Sequence, residues 1–404
     1  MININFVKDN INTYNTRIRK GKASEVYYNG FKVFTSDGNT VDIIDNMFCM
    51  NSTCLNKVIK NEKIKDYLKE LKSLRDYFFT SFKIKSIKFD LGEANNINWQ
   101  QRNEIKQLGI DLEKKVYYFE ETSIEKEFEI LKVMFHDYKH GNSNVFKNLK
   151  ITYDYIHKEM DIYDAIKKIP DLVKMYVTYT KYEKEKYYQH LFLLNLNKDK
   201  INEESYRTIF GDKDVIPFEE EYYIVDGKES DNNGRIDCVF YSKNGKSITD
   251  IYLIELKVDT GVIGGANGIH KHLLDIEHID ELNKSFFDNL IERINYRNEC
   301  LDNEKYIPLD GKNYNAHFYI IIGKNKSSND QIESKVKSLR DINSSTYNEV
   351  KKEIQKYSNE VDRIQEIYKV ANKKMEIKLF IDDNIWNLDD NFNPNFIDKT
   401  DWIK

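Results

Sequence analysis

Residues 234–258 read GRIDCVFYSKNGKSITDIYLIELKV, two apolar runs that each carry charged residues at one end. In the first, Ile236, Val239, Phe240 and Tyr241 suit a strand, with Arg235 and Asp237 at its start. The second, 251–256, is more hydrophobic still, and Glu255 and Lys257 stand two residues apart. Period-2 geometry sends both of those side chains to one face of the strand. Between the runs, Asn244-Gly245 is a strong hairpin signal. Folding back there brings Asp237 and Glu255 onto neighbouring strands.

Two carboxylates side by side in a half-buried sheet repel, and a hard divalent cation such as Mg²⁺ or Mn²⁺ between them removes that cost. Asp237 and Glu255 are therefore candidate metal ligands, with the backbone carbonyl of Leu256 a further one. Lys257, held on the Glu255 face, is the candidate to orient and polarise a metal-bound water for in-line attack on a phosphodiester. A Glu-x-Lys on a strand is common alone; the specific signal is the Asp, the turn and the Glu-x-Lys together. Charges at the end of so apolar a strand need a reason.

This arrangement resembles the PD-(D/E)xK nuclease superfamily, with Asp237, Glu255 and Lys257 on its signature and Ile236 where the first letter places Pro. The wider pattern is similar to the Shedu group of bacterial anti-phage nucleases. Residues 204–210 read ESYRTIF upstream, Gly-Arg-Ile-Asp leads into the site, and the apolar run 318–323 follows a long helix. On that helix, where Shedu-like sequences usually carry a Gln, this chain has Arg293 and Asn295. The likeness spans about residues 200–325. It implies a restriction-endonuclease-like core, metal-dependent cutting of DNA in phage defence, a homo-oligomer, and an acidic residue on a preceding helix that helps hold metal. By the motif match that residue is Glu204; the alternative is a first-turn carboxylate that complements the helix dipole.

With 404 residues, two or three domains are expected. Strand-like and helical runs both occur, and the resemblance implies an α/β (α+β) class: a mixed β-sheet flanked by helices, with an N-terminal α+β accessory domain. We divide the chain into that accessory or regulatory domain at 1–120, a helical connector at 121–199, and a nuclease domain at 200–404 with a helical insertion at 330–374. Hydrophobic residues at 40% are enough for real cores, while 32% charged residues and a mean hydropathy of −0.68 describe a soluble surface. No apolar run approaches the roughly 20 residues of a membrane span, and residues 1–10 lack a signal-peptide pattern, so a cytoplasmic protein with no membrane partner is expected. Cys49, Cys54, Cys238 and Cys300 show no zinc-type pairing and read as reduced thiols. A net charge of −5 and a pI near 6.0 argue against indiscriminate coating of nucleic acid, so DNA must be met by local basic surfaces.

In the first half, 27–34 and 41–44 read as strands, 61–79 as a helix and 82–89 as a strand. Residues 57–88 hold ten Lys or Arg against four Asp or Glu, with five aromatics interleaved. They suit either a phosphate-holding, base-stacking surface or a solvated helix face over a buried aromatic stripe. Thr122 with Glu125 forms a possible capping box, and a second helical region is expected over 150–198.

Further on, Glu219, Glu220 and Glu221 read as a solvated edge before a strand at 222–225, with the alternative that one of the three reaches the metals. The four glycines in 261–268 suit an approach to phosphate or a flap; their spacing is not that of a P-loop. His270, His272 and His278, with Asp275 and Glu277, suggest a second metal site or a substrate contact, although residues two apart on a helix do not share a face. A long helix is expected over 273–301, a doubly buried strand over 316–323, phosphate contacts from Lys324 and Lys326, and a last strand over 377–381. Rival readings keep the nuclease fold but change its use: a repair, recombination or restriction-type enzyme, or a binding and assembly module without turnover.

Overall fold

The computed structural model describes residues 184–196, 201–224, 234–261, 263–264, 268–277, 285–301, 308–355, 371–385 and 392–404, a few single helical positions, and seven strands before residue 158. Four of these, β1 (Tyr14–Ile18), β2 (Ser24–Tyr28), β3 (Phe31–Ser36) and β4 (Val41–Ile43), form one sheet in chain order. The run 27–34 thus belongs to two strands, and the turn signal Asn29-Gly30 between them marks the division. In a second sheet β5 (Ile84–Asp90) lies between β6 (Val116–Glu120) and β7 (Thr152–His157), antiparallel to both. Residues 152–157 are therefore strand, not helix: Tyr153 and Tyr155 alternate with polar neighbours, and aromatic alternation favours the pleat. The basic and aromatic stretch 57–83, the Thr122 cap and Cys49, Cys54 and Cys300 lie outside what the structure describes in side-chain detail.

Tyr188–Lys404 form the body of one compact unit and Lys32–Tyr187 that of another. The C-terminal unit is α/β, built on a mixed six-stranded sheet of order β13-β12-β11-β10-β9-β8. Strands β8 (Val215–Tyr223), β9 (Arg235–Asn244) and β10 (Ser247–Val258) run antiparallel in sequence. Gly245, at φ 59°, opens the two-residue turn between β9 and β10, a conformation that costs glycine nothing. Next come β11 (Asn315–Lys324) and β12 (Glu376–Ile385), each parallel to its predecessor, and a short antiparallel edge, β13 (Phe396–Asp398).

Parallel neighbours require crossovers, and helices supply them. Helices α3 (Ile269–Glu277) and α4 (Phe286–Leu301) lie between β10 and β11, and α5 (Asn329–Ser338) and α6 (Ser345–Gln355) between β11 and β12. All four bury apolar residues in one core with Ile251, Leu253, Phe318, Ile320, Ile322 and Leu379. The opposite face carries Phe240, Tyr252 and Tyr319 and is covered by α1 (Lys184–Asn195) and α2 (Glu203–Phe210), through Phe192 on Phe240 and Phe210 on Tyr252. β10 and β11 are thus buried on both sides, as their unbroken apolar runs require. Of the helix expected over 273–301, the structure describes α3, up to Glu277, and α4, from Phe286.

Two local devices fix the ends of the central strands. Asn202 caps α2 by accepting from the Glu204 N–H at 2.8 Å, and Gly211 closes the helix at φ 62°. Asp259, just past β10 and itself at φ 54°, accepts from the backbone N–H groups of Asn325, Lys326 and Ser327 at 2.8 to 3.0 Å. Its carboxylate thereby ties the end of β10 to the end of β11. Among the described residues no helix is long and apolar enough to cross a membrane.

Candidate active site

The β9–β10 register pairs Cys238 with Ile254, so one step further along the two strands Asp237 faces Glu255. Asp237 Oδ2 accepts from the Leu256 N–H at 2.8 Å. In a ladder a residue that turns its N–H to one neighbour turns its C=O there too, so the Leu256 carbonyl also points to the β9 side. Glu255 and Lys257 share the opposite, helix-covered face with Leu253, and both are buried. Lys257 Nζ lies 2.6 Å from Glu255 Oε1.

His272 of α3 meets the same oxygen: its Nε2 lies 2.8 Å from Glu255 Oε1, without the alignment of a hydrogen bond. Burial pushes the Glu255 carboxyl up, but the His272 and Lys257 charges more than offset it and hold it at about 2. Asp275, three residues beyond His272 and on the same helix face, pairs with Lys271, and burial raises its carboxyl. Among the described residues, Glu255 Oε2, Asp275 Oδ2, His270 Nδ1 and both ring nitrogens of His272 are buried without a hydrogen-bond partner. Gly234 makes room for this group: a Cβ there would stand 2.5 Å from Asp275 Oδ2 and 2.9 Å from Ile224 Cδ1. At the start of β9, Asp237 is half-buried and Arg235 exposed.

The structure thus brings together Asp237, Glu255, Leu256 and Lys257, and it does not bring Glu204 to them. Glu204 is exposed in the first turn of α2, which packs on the Phe240 and Tyr252 face, away from Glu255 and Lys257. Its position is that of a first-turn carboxylate beside the helix N-terminus. Glu219 is buried, not a solvated edge: β8 begins at Val215, which places Glu219 inside it, 4.0 Å from Arg293 Nη1. Arg293 also stacks over the Tyr222 ring at 5.0 Å, and Asn295 clamps both backbone groups of Leu309. Neither residue faces Glu255 in any contact described here.

Lys324, expected to meet phosphate, is buried against Asp383 at 2.7 Å and Asn329 at 3.2 Å. Of the described glycines of 261–268, Gly264 and Gly268 are packed, a Cβ at Gly268 standing 2.6 Å from the Ile263 carbonyl oxygen, while Gly261 is exposed with open space around it. His270 and His272 diverge, as helical spacing requires. Burial, helped by the Arg340 charge, lowers His270 to about 4. His278 lies outside the described residues. Sequence reading passed over Gln189 of α1, which is buried and donates from Nε2 to the Asp237 carbonyl at 2.9 Å. Nothing in a surface-like Tyr-Gln-His run signals that contact.

Among the described residues no three His, Cys, Asp or Glu side chains are arranged to hold a metal ion. The donors present are fewer but hard: two carboxylates on facing strands, the Leu256 carbonyl, and a buried Glu255 Oε2 that lacks a partner. That set suits Mg²⁺ or Mn²⁺ with water completing the coordination. No family model, curated protein or solved structure matches this chain.

Proposed function

We propose that the chain is a divalent-metal-dependent DNA endonuclease of the PD-(D/E)xK type, with a restriction-endonuclease-like core and a Shedu-like role in defence against phage. The observation that carries the reading is the pairing across one hairpin: Asp237 opposite Glu255, with Lys257 Nζ 2.6 Å from Glu255 and Glu255 Oε2 buried and unpartnered. The mixed sheet with helices on both faces supports it. The defence role, a cytoplasmic setting and a homo-oligomeric state rest on the sequence resemblance and composition alone.

A bound Mg²⁺ or Mn²⁺ supplies Lewis-acid polarisation and a more acidic water. Asp237, Glu255 and the Leu256 carbonyl would hold it. Lys257 is a buried ammonium fixed by the strand pleat, so it donates to a water or phosphate oxygen in low dielectric, where the interaction is stronger than in bulk water. Gln189 holds the β9 backbone at Asp237 and sets where that carboxylate starts.

The test is incubation of the purified full chain with linear, supercoiled and single-stranded DNA in Mg²⁺, Mn²⁺ or chelator, beside Lys257→Ala. Cutting should depend on metal and fall roughly a hundredfold or more in the variant, the scale of losing one preorganised donor. An intact fold that binds neither ion would sink the reading.

The same contacts favour a second reading. Lys257 already neutralises Glu255, and Asp237 already holds the Leu256 N–H, which is also the charge balance of a structural ion cluster in a binding module. Asp237→Asn separates the two. Lost cutting at unchanged melting temperature favours the enzyme; a lower melting temperature in a protein that never cuts favours the module.

A further inference from the structure

His272 is the side chain of α3 that reaches Glu255, and beyond that contact no step above uses it. It is buried, and neither ring nitrogen has a hydrogen-bond partner among the described residues. Such burial costs free energy unless something compensates. The 2.8 Å from Nε2 to Glu255 Oε1 is not a hydrogen bond in its alignment. It is close to the ~3 Å that separates two ligands at right angles around one ion with bonds of about 2.1 Å. Glu255 Oε2 is equally without a partner, and Asp275 Oδ2, on the same face of α3, is a third buried polar atom in that state.

The helix start is built to hold the ring there. Gly268 accepts from the Lys271 and His272 N–H groups, and Ile263 accepts from that of Ile269. Gly268 itself lies so close to the Ile263 carbonyl and the Gly264 backbone that no side chain fits. His270, two residues earlier, packs among Leu273, Val336, Leu339 and Arg340 and takes no part.

We infer that His272 is a metal ligand that shares one ion with Glu255, so that the site takes a first-row transition ion such as Mn²⁺ in preference to Mg²⁺. The inference rests on the metal-dependent reading above and adds the choice of ion. Imidazole nitrogen is a poor partner for Mg²⁺, which keeps to oxygen, whereas first-row transition ions accept it.

The experiment loads the full-length wild type with Mn²⁺ and records pulsed electron paramagnetic resonance, on natural-abundance protein and on protein carrying ¹⁵N-histidine. Nitrogen coupling to Mn²⁺ that changes with the label, and that disappears in His272→Gln, is the expected result. In parallel, calorimetric titrations with Mn²⁺ and Mg²⁺ should show Mn²⁺ affinity falling about tenfold or more in His272→Gln while Mg²⁺ affinity moves much less. The wild-type spectrum answers the question even if the variant does not fold. Bound Mn²⁺ without histidine coupling, or equal losses for both ions, overturns the assignment of His272 and leaves the nuclease reading standing. Failure of the wild type to bind either ion overturns both.

Discussion

Lys257 and His272 crowd one oxygen of Glu255, while on the other face of the sheet Asp382 meets donors alone. Its Oδ1 accepts from the Asn384 and Asn395 N–H groups and its Oδ2 from the Tyr188 hydroxyl at 3.1 Å. Burial outweighs these donors and raises the Asp382 carboxyl from 3.8 to about 6. A carboxyl raised in the folded state stabilises the protein fully below its unfolded value and loses that contribution as pH rises through the folded one. The wild type should therefore lose on the order of 2 to 3 kcal/mol from this group between about pH 4 and pH 6. Asp382→Asn keeps the shape and lacks the proton, so the difference in urea-unfolding free energy between variant and wild type should shift toward the variant across that window. A difference that stays flat with pH would refute it. At this scale the sequence was legible where chemistry is written in residue type: Asp237, Glu255 and Lys257 stand out because charges in an apolar strand are costly. It was silent on Asp382 and Gln189, whose importance comes from partners far away in the chain.

Elements were legible where their signal is local. The β9–β10 hairpin follows from Asn244-Gly245 and two apolar runs, β11 from an unbroken apolar stretch, and β12 from the short β-type run at 377–381. Helical periodicity misleads at 152–157, where aromatic alternation inside a stretch expected to be helical makes a strand. Asp259 went unnoticed because its three partners belong to the segment after β11. That clasp gives an element-level prediction. Asp259→Ala orphans three N–H groups and should cost about 1 to 3 kcal/mol. Hydrogen exchange should accelerate at the amides of Asn325, Lys326 and Ser327 well before it does in the middle of β11. Unchanged protection there would mean that the strands hold their ends without the carboxylate.

For the whole chain, composition and the resemblance indicated the class, but the start of the C-terminal unit was placed by motif, at 200. The division lies at Tyr188, inside α1, because Tyr188, Gln189 and Phe192 pack on the same sheet as the residues after 200. Amphipathic patterning does not show this, since α1 is buried over most of its surface. A chain trimmed to residues 184–404 should melt cooperatively and higher by at least several degrees than one trimmed to 200–404, which loses the eight buried side chains at 187–193 and 196. Equal melting would show that α1 adds nothing to the unit. The parallel pairing of β10 with β11 has a different consequence, for a chain still being made. Asp250 and its neighbour Asn315 are 65 residues apart, so a ribosome finishes β10 long before it supplies the strand that covers β10's free edge. For that interval a strongly apolar strand stands with open backbone groups along one side, a template for sticking to other nascent chains. Slow synthesis or a stop anywhere before residue 324 should send the product into aggregates, and holdase chaperones into contact with it.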